Sequence, residues 1–282
     1  MAKYEHFLGL GIAGNFALHL DQAGEAEDFK DVITADEAAP KGIFPFYLPN
    51  APQEKKSAAK EILHKYPLSS DTLQLPNKDV NVQAEPEVGL ICSLEFLAGK
   101  LIKITPTHFG AYNDASIRVK GANKISDKKN WGENSKGFAN HLFEIDTFQE
   151  GGVMDSFSIC SFLRRNGEIH AYGEDVELTG YSYFHSKLTE WIVNQINTQE
   201  DFGPLEAINK YIADSSYPTQ AIISIGATRY TEYGENTFLK SGDEVLVVVY
   251  NRDIYTLKNV TDALKDSNYT EQDMSVLAQK VH

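Results

Sequence analysis

Apolar residues along this chain gather in short runs, never in long ones. Residues 88–96, 101–105 and 158–163 are apolar enough to form buried strands, as are the segments AIISIGA and EVLVVVYN. Asn166-Gly167 separates the 158–163 run from EIHAYG, and both residues tolerate positive φ, which predicts a hairpin. Over residues 186–199, Leu188, Trp191, Ile192 and Ile196 recur at i, i+3, i+4 and i+8, the spacing of one helix face. A second helix is expected over 205–212, after Gly203-Pro204, because proline suits a first helical turn. A short helix is expected over 57–65, stopped before Pro67, and a final one from about Thr270. Residues 40–52 hold four of the ten prolines and read as an extended connector. The polar, turn-rich stretch after Pro67 suggests an N-terminal segment, 1–66, followed by a main body, 67–282. Strands and helices do not alternate regularly, so the expected class is α+β.

Composition narrows this picture. A length of 282 residues with 42% hydrophobic content is ample for a core and excludes wholesale disorder. Forty acidic residues against 26 Lys and Arg give a net charge of −14, with no basic stripe. That balance argues against nucleic acid or an anionic membrane surface as the main partner. No apolar run reaches the length of a spanning helix, and Glu5, His6 and Asn15 interrupt the first twenty residues, unlike a signal peptide. Cys92 and Cys160 each sit in an apolar run and read as buried hydrophobes of a reducing compartment. The expected setting is soluble and cytoplasmic.

Four patterns carry candidate chemistry. Gly9-x-Gly11-x-x-Gly14 has the spacing of a dinucleotide-binding turn, which would imply NAD or FAD. The preceding strand is very short and no βαβ unit follows, so a glycine turn of a buried strand is the preferred reading. Ser126-x-x-Lys129 matches a nucleophilic spacing but lies in KISDKKN, a run that reads as solvated. Glu85 and Glu87 are two apart and share one face of an extended strand leading into an apolar run. Two carboxylates there repel each other unless solvated at a strand edge or bridged by a cation, and all-oxygen ligation favours Mg²⁺ or Mn²⁺. Asp114, in HFGAYNDASIRVK, offers a third oxygen ligand. The eight histidines show no zinc-ligand spacing.

Taken in order, several segments resemble the fumarylacetoacetate hydrolase superfamily. GIAGNFALH is similar to its N-terminal G-x-N-Y-x-x-H, EPEVGLI to its E-x-E metal strand, and GAYNDASIR to its segment ending N-D-x-S-x-R. WGENSKGF resembles the segment that carries an active-site lysine. RRNGEIHAYG resembles the N-G-E hairpin, and AIISIGATRYTEYGENTFLKSGDEV the region G-T-P through G-D-x-V.

The resemblance implies a divergent bacterial-type member with a β-rich mixed fold, a β-sandwich roll with flanking helices, often built as a homodimer. It implies that Glu85, Glu87 and Asp114 hold Mg²⁺ or Mn²⁺. His19 becomes a lid histidine that activates water, Lys136 stabilises developing charge, and Thr228 and Asn15 bind substrate. The implied substrate is a small carboxylate, either an oxo-acid or a 1,3-dicarbonyl, and the implied reactions are C–C hydrolysis, decarboxylation, hydration or isomerisation. In hydrolytic members a Glu stands three residues after that histidine. Here the position is Gln22, with Asp21 and Glu25 nearby. That substitution keeps open a non-catalytic relative that binds a small acid.

Overall fold

The computed structural model of the chain describes residues 3–34, 36–49, 60–119, 121–267 and 273–282. In chain order its first strands are β1 (Leu8–Ala13), β2 (Gly42–Tyr47), β3 (Leu68–Ser69), β4 (Thr72–Leu73), β5 (Asn81–Gln83), β6 (Pro86–Leu97), β7 (Lys100–Asn113) and β8 (Ser116–Arg118). They continue as β9 (Lys136–Phe138), β10 (Phe143–Glu144), β11 (Phe157–Arg165), β12 (Glu168–Glu177), β13 (Gln220–Ser224), β14 (Glu244–Asn251) and β15 (Met274–Val281). The α-helices among the described residues are α1 (His19–Gln22), α2 (His185–Thr198), α3 (Ile208–Asp214), α4 (Glu232–Glu235) and α5 (Leu257–Lys265).

The larger sheet runs β2-β1-β13-β6-β7-β9-β3, with β10 added to β7. A second sheet runs β12-β11-β14-β15-β4, and β5 pairs with β8 separately. The two main sheets share one apolar core, to which Leu90, Phe109 and Ala111 contribute from one side and Ile159, Val245, Val247, Val249 and Leu277 from the other. The β14 run is apolar from Val245 to Tyr250 for a reason. Its odd-numbered valines face that core, while Leu246, Val248 and Tyr250 face a second cluster with Val260 and Leu264 of α5. The α2 face forecast from its periodicity, Leu188, Trp191, Ile192 and Ile196, is buried. Asn166 and Gly167 both take positive φ and join β11 to β12 as an antiparallel hairpin. The α+β, β-rich class therefore holds.

Several local expectations change. The proline-rich 40–52 stretch contains β2, paired antiparallel with β1. Pro45 is tolerated there because β2 lies at the sheet edge and the ladder shifts register between Gly9 and Leu10. Gly9 and Gly11 lie inside β1 and form no turn. A Cβ on Gly9 would sit 2.4 Å from the Phe46 ring, and one on Gly11 2.2 Å from the Phe44 ring. The glycines make room for aromatic rings of β2, and the next helix in the chain, α1, spans four residues. A dinucleotide loop is thus replaced by close strand packing.

Residues 274–281 are strand β15, hydrogen-bonded between β14 and β4, where a helix was expected; Thr270 itself lies outside the described residues. The C-terminal helix is instead α5, begun by a Thr256–Asn259 capping box. Of the helix expected over 57–65, residues 57–59 lie outside the described residues and Glu61–His64 form one 3₁₀ turn. The second forecast helix starts at Ile208, three residues late. Cys92 and Cys160 are buried and unpaired. Among the described residues no helix is long and apolar enough to cross a membrane.

Candidate metal centre

Strand pairing assembles the site. β6 and β7 form a long antiparallel hairpin whose open end sets Pro86 opposite Asn113 and Glu87 opposite Tyr112. The Asp114 N–H donates to the Glu85 carbonyl at 2.9 Å, and the Glu85 N–H donates to Asn113 Oδ1 at 3.1 Å. Glu85, Glu87 and Asp114 are consequently brought side by side, all buried, with one oxygen from each within 4.8 Å of the others. These are the three carboxylates that the family resemblance implied as metal ligands.

Buried cations surround it. Arg118 Nη1 lies 2.8 Å from Glu85 Oε1, and Lys136 Nζ lies 2.9 Å from Asp114 Oδ1. Lys129 Nζ stands between the two acids, 2.6 Å from Glu85 Oε2 and 2.7 Å from Asp114 Oδ2. Burial pushes the Glu85 carboxyl up, but Lys129 and Arg118 outweigh it and hold it far below the usual range. Glu87 is the opposite case: burial, reinforced by the Asp114 charge, raises it well above the usual range, although the Gly226 N–H donates to its Oε2 at 3.0 Å. Burial lowers Lys136 to about 8 against the pull of Asp114.

The run KISDKKN is not solvated. Ser126, Lys128, Lys129 and Asn130 are each less than 5% exposed. The sequence conceals this because the partners are remote: Glu85 is 44 positions before Lys129 and Glu25 is 103 before Lys128. Ser126 donates to Glu206 Oε1 at 2.6 Å, away from any nucleophilic pairing with Lys129. The interior position of Ile125 and the neighbouring Trp131 are the only hints the sequence carries.

The remaining residues named from sequence fall around this cluster in different ways. His19 is buried and its Nδ1 lies 2.9 Å from the Thr228 carbonyl oxygen. A carbonyl only accepts, so Nδ1 carries the hydrogen and Nε2 keeps its lone pair. Burial, with Arg118 and Lys129 nearby, lowers the His19 pKa and keeps the ring neutral. Gln22 does not assist it. Its amide is spent on the Tyr230 backbone, donating to O at 3.1 Å and accepting from N at 2.9 Å. Glu25 is the acid that reaches the cluster, bonded at 2.8 Å to both Arg118 and Lys128. Asn15 donates to the Tyr183 and Ile225 carbonyls and accepts from the Tyr183 N–H, so its side chain braces backbone. The Thr228 hydroxyl is 3.5 Å from the Pro86 carbonyl.

The space beside the acids is a cavity of about 10 Å³ bordered by His19, Leu20, Glu25, Phe44, Glu87 and Lys129. That is about the room of one water molecule. A hard divalent cation fits the donor set in chemistry and spacing, since three carboxylates converge and Glu87, whose Oε2 accepts from the Gly226 N–H, takes part in none of these ion pairs. The Lys129 ammonium holds one oxygen of Glu85 and one of Asp114.

No curated protein matches the chain in sequence. The profile of DUF5718, described as a family of unknown function, matches residues 25–281. Among solved structures, the yeast protein ynq8, a fumarylacetoacetate hydrolase family protein, is similar at 13% identity over 98% of this chain and 92% of its own, with a TM-score of 0.53. Cg1458, solved with an inhibitor, is similar at 14% identity over 97% of this chain and 76% of its own, also at 0.53. At such identities the likeness establishes the fold.

Proposed function

The chain belongs to DUF5718, a family of unknown function, and from that premise we propose a divalent-metal-dependent enzyme acting on a small oxo-acid or 1,3-dicarbonyl. The observation that carries this reading is the convergence of three buried carboxylates, Glu85, Glu87 and Asp114, within 4.8 Å. These residues would hold Mg²⁺ or Mn²⁺. A bound ion would supply Lewis acidity, stabilising the enolate-like charge common to C–C hydrolysis, decarboxylation and keto–enol isomerisation.

The chain's own groups have separable tasks. His19, neutral and oriented by the Thr228 carbonyl, accepts a proton at Nε2. Lys136, fixed by Asp114 and the Ala115 carbonyl, holds positive charge against a developing oxyanion. A cavity of about 10 Å³ admits no such substrate, so residues 14–29 must open. Their ties are the Gln22–Tyr230 pair, the His19–Thr228 bond and the salt bridges of Glu25. With their side chains committed elsewhere, Asn15 and Thr228 act by shaping the backbone around Tyr183 and His19.

A second reading, a non-catalytic relative that binds a small acid, draws on Gln22, whose amide serves Tyr230 and leaves His19 without a carboxylate partner. Titration of Mg²⁺ and Mn²⁺ into the wild type and a Glu85→Ala/Glu87→Ala variant tests the metal; equal heats in both would sink it. Turnover of acylpyruvates or oxaloacetate, lost in Lys136→Ala, would separate enzyme from binder.

A further inference from the structure

Three buried cations touch the acidic trio, and they differ in what else holds them. Arg118 also donates to Gln83 at 2.7 Å and to the Tyr230 hydroxyl at 2.9 Å, and pairs with Glu25. Lys136 also donates to the Ala115 carbonyl at 2.6 Å. Both would stay in place if the carboxylates found another partner. For Lys129, by contrast, the hydrogen-bonding and ionic contacts are Glu85 and Asp114 themselves. Its remaining close neighbour is the face of Phe44, 5.2 Å from Nζ, which tolerates an alkyl stem as readily as a charge.

The backbone around it is anchored by contacts that do not involve its own side chain. Asn130 donates to the Phe46 carbonyl at 2.8 Å and to the Lys65 carbonyl at 3.1 Å. Lys128 is tied to Glu25 and Asp28. Between these anchors Lys129 reaches the trio on a flexible four-carbon stem, and it borders the small cavity, into which the stem can retract once the lid segment moves.

We propose that Lys129 is a built-in competitor for the cation: its ammonium neutralises Glu85 and Asp114 in the resting protein, and a divalent ion binds by taking those two oxygens from it. This rests on reading the trio as a metal centre. Binding is then an exchange of one internal cation for one external ion, which weakens affinity. It also makes metal entry depend on the same lid movement that admits substrate, because the retracting ammonium needs space beside Leu20 and Phe44.

The test is calorimetric titration of Mn²⁺ alone into the full-length wild type, Lys129→Met, Lys129→Gln and Glu85→Gln/Glu87→Gln, with circular dichroism confirming each fold. Lys129→Gln keeps amide donors for both carboxylates and serves where the methionine variant does not fold. The expected result is binding at least tenfold tighter in Lys129→Met or Lys129→Gln than in wild type, and lost in Glu85→Gln/Glu87→Gln. Equal Mn²⁺ affinity in wild type and the folded Lys129 variants overturns the competition while leaving the metal centre standing. Absence of binding in wild type and in folded Lys129 variants alike overturns both.

Discussion

Glu25 offers the sharpest measure of how the segment around α1 is held against the site. It is 7% exposed, and one oxygen, Oε1, is shared by Arg118 Nη1 and Lys128 Nζ, each at 2.8 Å. Burial pushes its carboxyl up, but Arg118, Lys128 and Lys129 prevail, so it is held below its usual range and stays charged. Glu25→Gln keeps the size and removes the charge, leaving Lys128 with the half-buried Asp28 and Arg118 with Glu85 as their paired acids. Breaking a buried pair by removing one partner typically costs about 3–5 kcal/mol. With an unfolding entropy of about 2.1 cal/mol/K per residue over 282 residues, that loss corresponds to roughly 5–8 °C in Tm.

Differential scanning calorimetry of the wild type, Glu25→Gln, Lys128→Met and Glu25→Gln/Lys128→Met is the assay. The double variant removes the stranded ammonium as well, so it should recover about 1–3 kcal/mol relative to Glu25→Gln. A fall in Tm below about 2 °C for Glu25→Gln, or a double variant that loses the simple sum of the two single effects, refutes the reasoning, because either result means water already screens these charges.

Glu206 predicts a pH dependence. Burial raises its carboxyl to about 7, above its value in the unfolded chain, so folding is unpenalised at low pH and stability falls as pH rises through that window. Between pH 5 and pH 8 the wild type should lose on the order of 3 kcal/mol relative to Glu206→Gln, and parallel Tm profiles for the two proteins would count against it. Gly9→Ala places a Cβ 2.4 Å from the Phe46 ring and should cost about 1–3 kcal/mol in urea denaturation, partly recovered by adding Phe46→Leu. No loss in the alanine variant would mean β1 and β2 can separate freely.

What could be read from the chain was what local spacing encodes. The α2 face, the Asn166-Gly167 hairpin and the buried β14 run follow from periods of 3.6 and 2 and from turn chemistry. Glu85 and Glu87 were legible because two residues along a strand share a face, and Asp114 because of its resemblance to a family segment. The failures have one cause: tertiary context overrode local preference. Prolines did not prevent β2 from pairing because it lies at an edge. A charged run went inside because its counter-charges come from Glu85 just before β6, Asp114 at the β7–β8 corner, and Glu25 and Asp28 near the N-terminus. Nothing within seven residues of Lys129 announces that two carboxylates will meet its ammonium.

That missing residue changes how the acidity of the protein bears on its function. The buried acids Glu25, Glu85, Glu87 and Asp114 are matched in number by Arg118, Lys128, Lys129 and Lys136. The surplus of 14 negative charges therefore lies outside the site and says nothing about cation affinity there. What decides affinity is whether one of four internal cations can leave its acids. Arg118 and Lys136 have other acceptors that hold them, and Lys128 is turned toward Glu25 and Asp28. Lys129 alone depends on the oxygens that an incoming ion would need. Without that ammonium Glu85 keeps Arg118 and Asp114 keeps Lys136, but the cluster has one cation fewer, so its carboxylates become harder to keep buried and ionised unless an external cation replaces it. The same contact that stabilises the empty protein thus sets the threshold for metal, and stability without metal and affinity for metal should move in opposite directions whenever residue 129 loses its charge.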